Sequence, residues 1–576
     1  MQTLATPSTA RTLVGLMALG VLVLVARRGL VPPSEEPPKP DCPIQLHDVT
    51  GETGIDFQHT DGSSGRRYIV EAMSAGLAVF DYDGDGLEDL YFLNGAPLPG
   101  THAVRPPRNA LYKNLGGFRF REVTDEAGVG DTGYGLGVAV ADYDNDGQPD
   151  LFLNNYGSNV LYRNLGNGTF ADVTDAAGVA KPDPSFVGAG ACFLDIDNDG
   201  YLDLYVGNYI RFDPQAHVPH FTDGIPRYPQ PMEYQAVPDT LYRNRGDGTF
   251  ADVSVSSRIA EHAGTAMGMV SADYDNDGLA DMVVANDVGA NFLFHNEGHA
   301  TFEEVGVTSG VAYNSWGDSN ANMAVACGDY DNDRQLDFFI TSYQNQLPVL
   351  YRNLGGGVFE DVTLKTGAGA GCYPFVNWGC AFADFDNDGW KDLFIANGHL
   401  EDNIELRDRS TSYECPNVVL RNLGGAFENV SERCGDGLSL RRSSRGAVVA
   451  DLDRDGWIDV VVLNSRREPT VLRNVSPRGN HWIGIRLVGV KTNRDGVGAR
   501  VTVTAGDLTQ IDEVHSGHGY QSHWGPWLHF GLGKRKRVDR VEVRWIGGGT
   551  DVLESVPADQ RLVIVESSAA NVASPR

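Results

Sequence analysis

One unit recurs seven times along the chain and leaves few folds open: an apolar run, the loop D-x-D-x-D-G-x-x-D, and a second apolar run. The loops open at Asp81, Asp142, Asp195, Asp273, Asp329, Asp384 and Asp451, with gaps of 61, 53, 78, 56, 55 and 67 residues. A second element follows each loop: L-Y-R-N, a glycine-rich turn, then F-x-D-V-T. It stands as Leu161 to Asn164 with Phe170 to Thr174, and as Leu350 to Asn353 with Phe359 to Thr363. Each unit therefore offers about four short strands separated by turns. A four-stranded unit repeated at this spacing reads as a propeller blade, so the chain is expected to be all-β, a seven-bladed β-propeller. The 69 glycines in 576 residues fit a turn-rich β protein. The seventh unit reaches Val471 to Asn474 but lacks its F-x-D-V-T, whereas Leu46-His-Asp-Val-Thr50 stands alone at the start. The N-terminal strand is thus expected to complete the last blade and close the ring, which removes the open sheet edges of the array.

Alternating carboxylates in a tight turn, joined by a backbone carbonyl at position 7, make an oxygen-only set suited to a hard cation of calcium size. The side-chain ligands assigned are Asp81, Asp83, Asp85 and Asp89; Asp142, Asp144, Asp146 and Asp150; Asp195, Asp197, Asp199 and Asp203; and Asp273, Asp275, Asp277 and Asp281. They continue as Asp329, Asp331, Asp333 and Asp337; Asp384, Asp386, Asp388 and Asp392; and Asp451, Asp453, Asp455 and Asp459. The carbonyls belong to Leu87, Gln148, Tyr201, Leu279, Gln335, Trp390 and Trp457. Up to seven calcium ions are expected. Aspartates also form turns, but seven sets in register, carrying 28 carboxylates against a net charge of −31, argue for cations. An EF-hand is excluded, because position 12 is apolar in every loop: Phe92, Leu153, Val206, Val284, Ile340, Ile395 and Val462. The fifth loop carries Arg334 where the other six carry glycine, so a weaker site, or one partly filled by the guanidinium, is expected there.

These loops and strands resemble the calcium-binding FG-GAP/VCBS repeats of integrin α-chain propellers, over roughly residues 44 to 475. From Asn480-His-Trp through Asn493 to Arg500, Ser516-Gly-His-Gly-Tyr520, His529 to Gly533 and Val543-Arg-Trp545, the chain is similar to the ASPIC/UnbV domain. Gln521-Ser522-His523 departs slightly from that family's pattern. Together the two parts resemble the cartilage acidic protein family, including its bacterial members. The resemblance implies an extracellular calcium-binding protein without an established catalytic activity. Read by alternation alone, IGIRLVG, ARVTVTA, VDRVEVRW and RLVIVE within residues 480 to 567 predict a small β-sandwich-like domain. Its histidines 515, 518, 523 and 529 are read as surface or turn residues rather than a metal site, and Lys534 to Arg537 as a solvated hairpin face.

Residues 1–31 hold the apolar run Thr12 to Ala26, which as a helix spans about 22 Å, short of a ~30 Å hydrocarbon core. It reads as an N-terminal hydrophobic helix, either a membrane anchor or a cleaved signal; both export the rest of the chain to an extracytoplasmic place, periplasmic or extracellular. Residues 32–43 form a proline-rich linker, and 568–576 a flexible tail. Of seven cysteines, Cys192, Cys327 and Cys380 read as core residues; Cys372, Cys415 and Cys434 lie in loop-like sequence where an oxidising compartment permits a bridge.

The acidity disfavours nucleic acid as a partner. No G-x-S-x-G, H-E-x-x-H or P-loop is present, and Gly128 to Gly133 matches G-x-G-x-x-G only by letters, in a link between blades. The widest gap contains an insertion, Tyr209 to Pro238, whose His217, His220, Asp223, Arg227, Tyr228 and Tyr234 are candidates for shaping a pocket, against packing on a neighbouring blade. The reading is a non-catalytic binding or adhesion module for protein or glycan. The alternative is a propeller enzyme acting on a polysaccharide or redox substrate through the 209–238 insertion.

Overall fold

The computed structural model describes residues 42–73, 76–101, 107–181 and 183–567. The apolar run Thr12 to Ala26, nearly all of the proline-rich linker and the tail 568–576 lie outside the described residues. Among the described residues no helix is long and apolar enough to cross a membrane.

The second repeat shows how the unit folds. Strands Tyr134–Ala141, Asp150–Tyr156, Val160–Asn164 and Phe170–Asp172 pair antiparallel in chain order, with the acidic loop joining the first two. The first strand is buried along its whole length, whereas the last is a three-residue edge with only Phe170 buried. Among the described residues seven sheets follow this plan. Their first strands are Leu77–Phe80, Tyr134–Ala141, Phe186–Leu194, Ala266–Ala272, Asn322–Gly328, Asn377–Ala383 and Ser444–Ala450. Each first strand packs against the next, and Ser444–Ala450 packs against Leu77–Phe80, so the circuit returns to its start. The repeat array is therefore propeller-like.

Small residues make that convergence possible. A Cβ on Gly137 would stand 2.0 Å from the carbonyl oxygen of Ala189 in the neighbouring first strand, and one on Gly379 would stand 2.7 Å from the Arg445 carbonyl oxygen. Glycine is therefore required where the backbones meet. The polar motif residues tie the sheets together. The L-Y-R-N asparagine donates through Nδ2 to the second carbonyl of the preceding acidic loop: Asn164 to Tyr82, Asn244 to Tyr143, Asn296 to Ile196, Asn353 to Tyr274, Asn422 to Tyr330 and Asn474 to Phe385. Asn114 of the first sheet completes this second circuit by donating to Leu452 of the seventh loop at 3.0 Å. In six repeats the hydroxyl at the last position of F-x-D-V-T accepts the N–H at the first position of L-Y-R-N, as Thr174 does from Leu161 at 2.9 Å; in the fourth, where Gly306 stands, Glu304 takes its place.

The expected closure is present. Leu46–Asp48 pairs antiparallel with Thr470–Asn474, with Leu46 opposite Asn474 and Asp48 opposite Leu472, as the outer strand of the seventh sheet.

The C-terminal part is a two-sheet sandwich. Trp527–Gly533, His481–Val488 and Gln560–Val565 form one sheet; Leu508–Glu513, Arg500–Ala505, Arg537–Arg544 and Thr550–Pro557 form the other. Its core, with Ile483, Ile485, Val501 and Phe530, is one apolar cluster with Phe193 and Leu204 of the third sheet. From Pro43 onward the chain forms one compact unit, so the sandwich and the repeats do not separate as a pair of independent bodies.

Residues 515 to 524 are the reason. This segment touches the first strand of each of the seven repeat sheets. His523 and Trp524 pair with Ala78 and Val79, Gln521 accepts the Val138 N–H at 3.1 Å, and Ser516 bridges to Phe193. His515 Nδ1 lies 2.8 Å from the Ser271 carbonyl oxygen, and Gly519 bridges to Val325. Tyr520 packs edge-on against Trp378 at 5.1 Å, and Ser522 lies against Gly446. The S-G-H-G-Y segment is thus a plug on the axis of the ring. His515 and His523 are buried, not at the surface as expected, and His518 is half-buried with its ring stacked on Trp524 at 3.8 Å. His529 is bonded to Asn387 and lines one cavity with His515 and His518.

The 209–238 insertion does not simply pack on its neighbour. It reaches elements of the first, sixth and seventh sheets: Tyr228 is buried beside Arg67, its hydroxyl accepts from Arg466, and Asn403 donates to the Pro226 carbonyl. His220 and Arg227 pair with Glu233 inside the insertion, and His217 bonds the Arg66 carbonyl. His217, His220, Arg227 and Tyr228, four of the groups expected to shape a pocket, therefore hold the insertion in place. Cys192, Cys372, Cys380 and Cys415 are buried free thiols and Cys327 is half-buried, so no bridge joins Cys372 to Cys415.

Candidate metal centres

Each acidic loop is built by its own carboxylates. The position-1 aspartate accepts the N–H of position 6 through Oδ2, at 2.6 Å for Asp142 to Gly147 and 3.2 Å for Asp273 to Gly278. Position 5 accepts the N–H of position 7, from Leu87, Gln148, Tyr201, Leu279, Gln335, Trp390 and Trp457, at 2.8 to 3.0 Å. The turn needs left-handed backbone at positions 4 and 6. Asparagine supplies the first in five loops, and Arg334 adopts φ 72° where the other six loops have glycine.

The expected ligands divide into two groups. Positions 1, 3 and 5 converge: in the sets Asp81, Asp83, Asp85; Asp142, Asp144, Asp146; Asp195, Asp197, Asp199; and Asp273, Asp275, Asp277, one oxygen per residue lies within 4.8 Å of the others. Position 9 is also a scaffold. Its Oδ1 accepts the N–H of the L-Y-R-N asparagine at 2.7 to 2.8 Å in all seven repeats. Its Oδ2 accepts the position-2 N–H in six of them. A carboxylate oxygen with one hydrogen bond keeps a lone pair, so Asp89 and its counterparts remain able to ligate.

The electrostatics show what the loops lack. Burial, reinforced by neighbouring carboxylates, pushes Asp142 and Asp329 up to about 7 and Asp195 to about 6. Burial likewise raises Asp89 to about 8 and holds Asp150, Asp203, Asp337 and Asp459 well above the usual carboxylate range. The position-3 oxygen Oδ1 is buried without a hydrogen-bond partner in Asp83, Asp197, Asp331, Asp386 and Asp453. Bare buried oxygens beside converging carboxylates fit a hard cation.

The L-Y-R-N motif contributes a group whose role was not evident from spacing. Its basic residue reaches back to positions 3 and 5 of its own loop: Lys113 to Asp83 and Asp85, Arg163 to Asp144 and Asp146, Arg243 to Asp197 and Asp199, Arg352 to Asp331 and Asp333, Arg421 to Asp386 and Asp388, and Arg473 to Asp453 and Asp455. In the fifth loop the cation at Asp331 and Asp333 is thus Arg352, at 2.6 and 2.9 Å; Arg334 contributes the turn. Four aspartates against one such cation leave a deficit that a dication offsets. The sandwich adds further cations, Arg544 paired with Asp273 and Arg561 at 3.2 Å from Asp451, and the link before it adds Arg478 at 2.5 Å from Asp455.

Family models match both parts of the chain. The FG-GAP-like repeat matches residues 81–153, 142–206, 235–284, 273–340 and 329–395, and the ASPIC and UnbV model matches residues 489–571. Cartilage acidic protein 1 of Mus musculus is 26% identical over 396 residues, covering 66% of this chain and 55% of the relative. The Homo sapiens protein of the same name is 25% identical over 375 residues, covering 63% and 51%. The chain thus spans about half the length of these relatives. A solved structure of BBS1N in complex with ARL6DN aligns at 10% identity and a TM-score of 0.41, over 75% of this chain and 97% of that one.

Proposed function

We propose that this chain, a member of the ASPIC/UnbV family of cartilage acidic proteins built on FG-GAP-like repeats, is an extracytoplasmic calcium-binding module that acts by binding protein or glycan rather than by catalysis. The repeats are its seven blades, a count supported by the two closed circuits of first strands and asparagine bonds. The observation that carries calcium binding is the repeated set of buried, converging carboxylates with a bare position-3 oxygen. Relatives named for cartilage, together with the FG-GAP-like repeats, support the location.

A binding role is supported by a cleft of ≈ 500 Å³ beside the fifth sheet. Trp316 and Tyr373 line it at 63% and 52% exposure. The amides of Asn314, Asn345 and Gln346 and the carboxylates of Asp318 and Asp361 share the lining, and no lysine or arginine does. Aromatic faces flanked by amides suit a neutral polyhydroxylated ligand or a polar peptide.

The test is elemental analysis and thermal unfolding with calcium and with chelator. At about twenty-fold excess over Kd each site contributes roughly 1.8 kcal/mol, so several filled sites raise the midpoint by many degrees. An unchanged midpoint and no bound calcium would sink the assignment. Trp316→Ala should then abolish capture in a glycan and protein screen without moving the midpoint.

A further inference from the structure

We propose that the fourth loop is a transition-metal site of the zinc class, held by His295, Asp275 and Asp281, set among loops of calcium type. The inference rests on the reading of the acidic loops as metal sites and separates one from the rest. In six repeats the basic residue of L-Y-R-N is lysine or arginine, a donor without a lone pair. In the fourth the motif reads Leu293-Phe-His295-Asn296, and an imidazole occupies that place. Imidazole joined to carboxylates selects zinc and its neighbours, whereas calcium takes oxygen alone.

The geometry departs from the other loops in the same direction. His295 Nδ1 lies 3.2 Å from Asp281 Oδ1 and 3.6 Å from Asp275 Oδ2. The nitrogen is nevertheless buried and aligned with neither as a hydrogen bond. Donors bound at ~2.1 Å around a tetrahedral ion stand about 3.4 Å apart, between those two separations. One donor atom from each of Asp275, Asp281 and His295 lies within 4.8 Å of the others. Asp281 is fully buried, and its Oδ2, which accepts a backbone N–H in the six counterparts, has no partner here. Its Oδ1 is fixed by the Asn296 N–H at 2.8 Å, and the His295 ring sits edge-on to Tyr274 at 6.0 Å, so both ligands are held by strand and packing. Meanwhile Arg544 takes the Oδ2 of Asp273, and Arg500 its carbonyl. Arg544 therefore already holds one oxygen of the calcium-type set of this loop, leaving Asp273 Oδ1 bare, while the His295 side keeps two bare donors, His295 Nδ1 and Asp281 Oδ2.

The rival role for His295 is an imidazolium that merely replaces arginine in an ion pair. Purified full-length protein, stripped of metal and returned to millimolar calcium, is titrated with Co²⁺ and then Zn²⁺, with visible absorption and elemental analysis of both calcium and transition metal. One equivalent of Co²⁺ with ligand-field bands, displaced by Zn²⁺, is expected. His295→Arg, which restores the residue type of the other repeats, should weaken that binding by about tenfold or more and leave calcium stoichiometry elsewhere unchanged. Retained calcium with no Co²⁺ equivalent, or Co²⁺ binding equal in His295→Arg, overturns the inference and leaves the calcium reading intact. Absence of calcium overturns that reading separately.

Discussion

Deleting residues 43–50 should open the ring. In the structure this segment is the outer strand of the seventh sheet, and its loss removes identifiable contacts. Ile44 and Leu46 are fully buried, worth about 2 kcal/mol each in apolar area. Val49 donates to the Val471 carbonyl at 3.0 Å, Val475 to that of Gln45 at 2.8 Å and Leu46 to that of Cys434 at 2.8 Å, while Val471 donates to Thr50 Oγ1 at 2.9 Å. At about 1 kcal/mol net for each hydrogen bond, the loss comes to roughly 8 kcal/mol, within the 5–15 kcal/mol that holds a typical domain folded. Strand Thr470–Asn474 would also become an unpaired edge carrying Val471 and Leu472. Equilibrium denaturation followed by tryptophan fluorescence, with light scattering for association, compares the truncated and full chains. A single substitution, Leu46→Ala, gives a milder version costing about 3 kcal/mol. Adding the excised segment back as a peptide should partly restore the midpoint. If the truncated protein stays monomeric with an unchanged midpoint, the strand does not close the ring and the reasoning fails.

Two further outcomes follow from the loops. Without calcium, stability should fall as pH rises from about 4 to about 8: Asp142 and Asp329 at about 7 and Asp89 at about 8 hold protons in the native state that the unfolded chain releases near 4. Calcium competes with those protons, so its effect on the melting temperature should be larger at pH 8 than at pH 5; equal shifts at both would refute the ligand assignment. Arg334→Gly should stabilise the metal-free protein by about 1 kcal/mol, because Arg334 occupies left-handed backbone at φ 72°, and isothermal calcium titration should show one tightened site; a lower denaturation midpoint would count against it.

The repeat, its closure and the converging aspartates were legible because each depends on local period and spacing. Asp81, Asp83 and Asp85 meet within one turn, and Leu46-His-Asp-Val-Thr50 repeats the sequence of the strand it replaces. What escaped is carried by contacts across large separations. No alternation in residues 515 to 524 announces that they meet seven strands from Leu77 to Ala450, and Tyr228 gives no sign that it is buried beside Arg67 and Arg466. The basic residue of L-Y-R-N was visible as a recurrence, but its target lies one strand away, so its function needed the register of the second and third strands.

That register connects metal occupancy to the C-terminal sandwich. Arg500 and Arg544 bond the fourth loop, Arg561 lies on the seventh, and Asp495 accepts the Asp142 N–H of the second at 2.7 Å. The same sandwich sends residues 515 to 524 down the axis, where Tyr520, fully buried, donates its hydroxyl to the Met73 carbonyl at 3.1 Å. A cation at the fourth or seventh loop would meet the Arg544 and Arg561 guanidiniums at the carboxylates it needs, so cation binding and the seating of the sandwich are coupled. Linkage makes the two effects reciprocal. If the loops hold calcium, as proposed, calcium affinity at the fourth and seventh loops should change when the sandwich loosens, and calcium removal should change the seating of the sandwich by the same free energy.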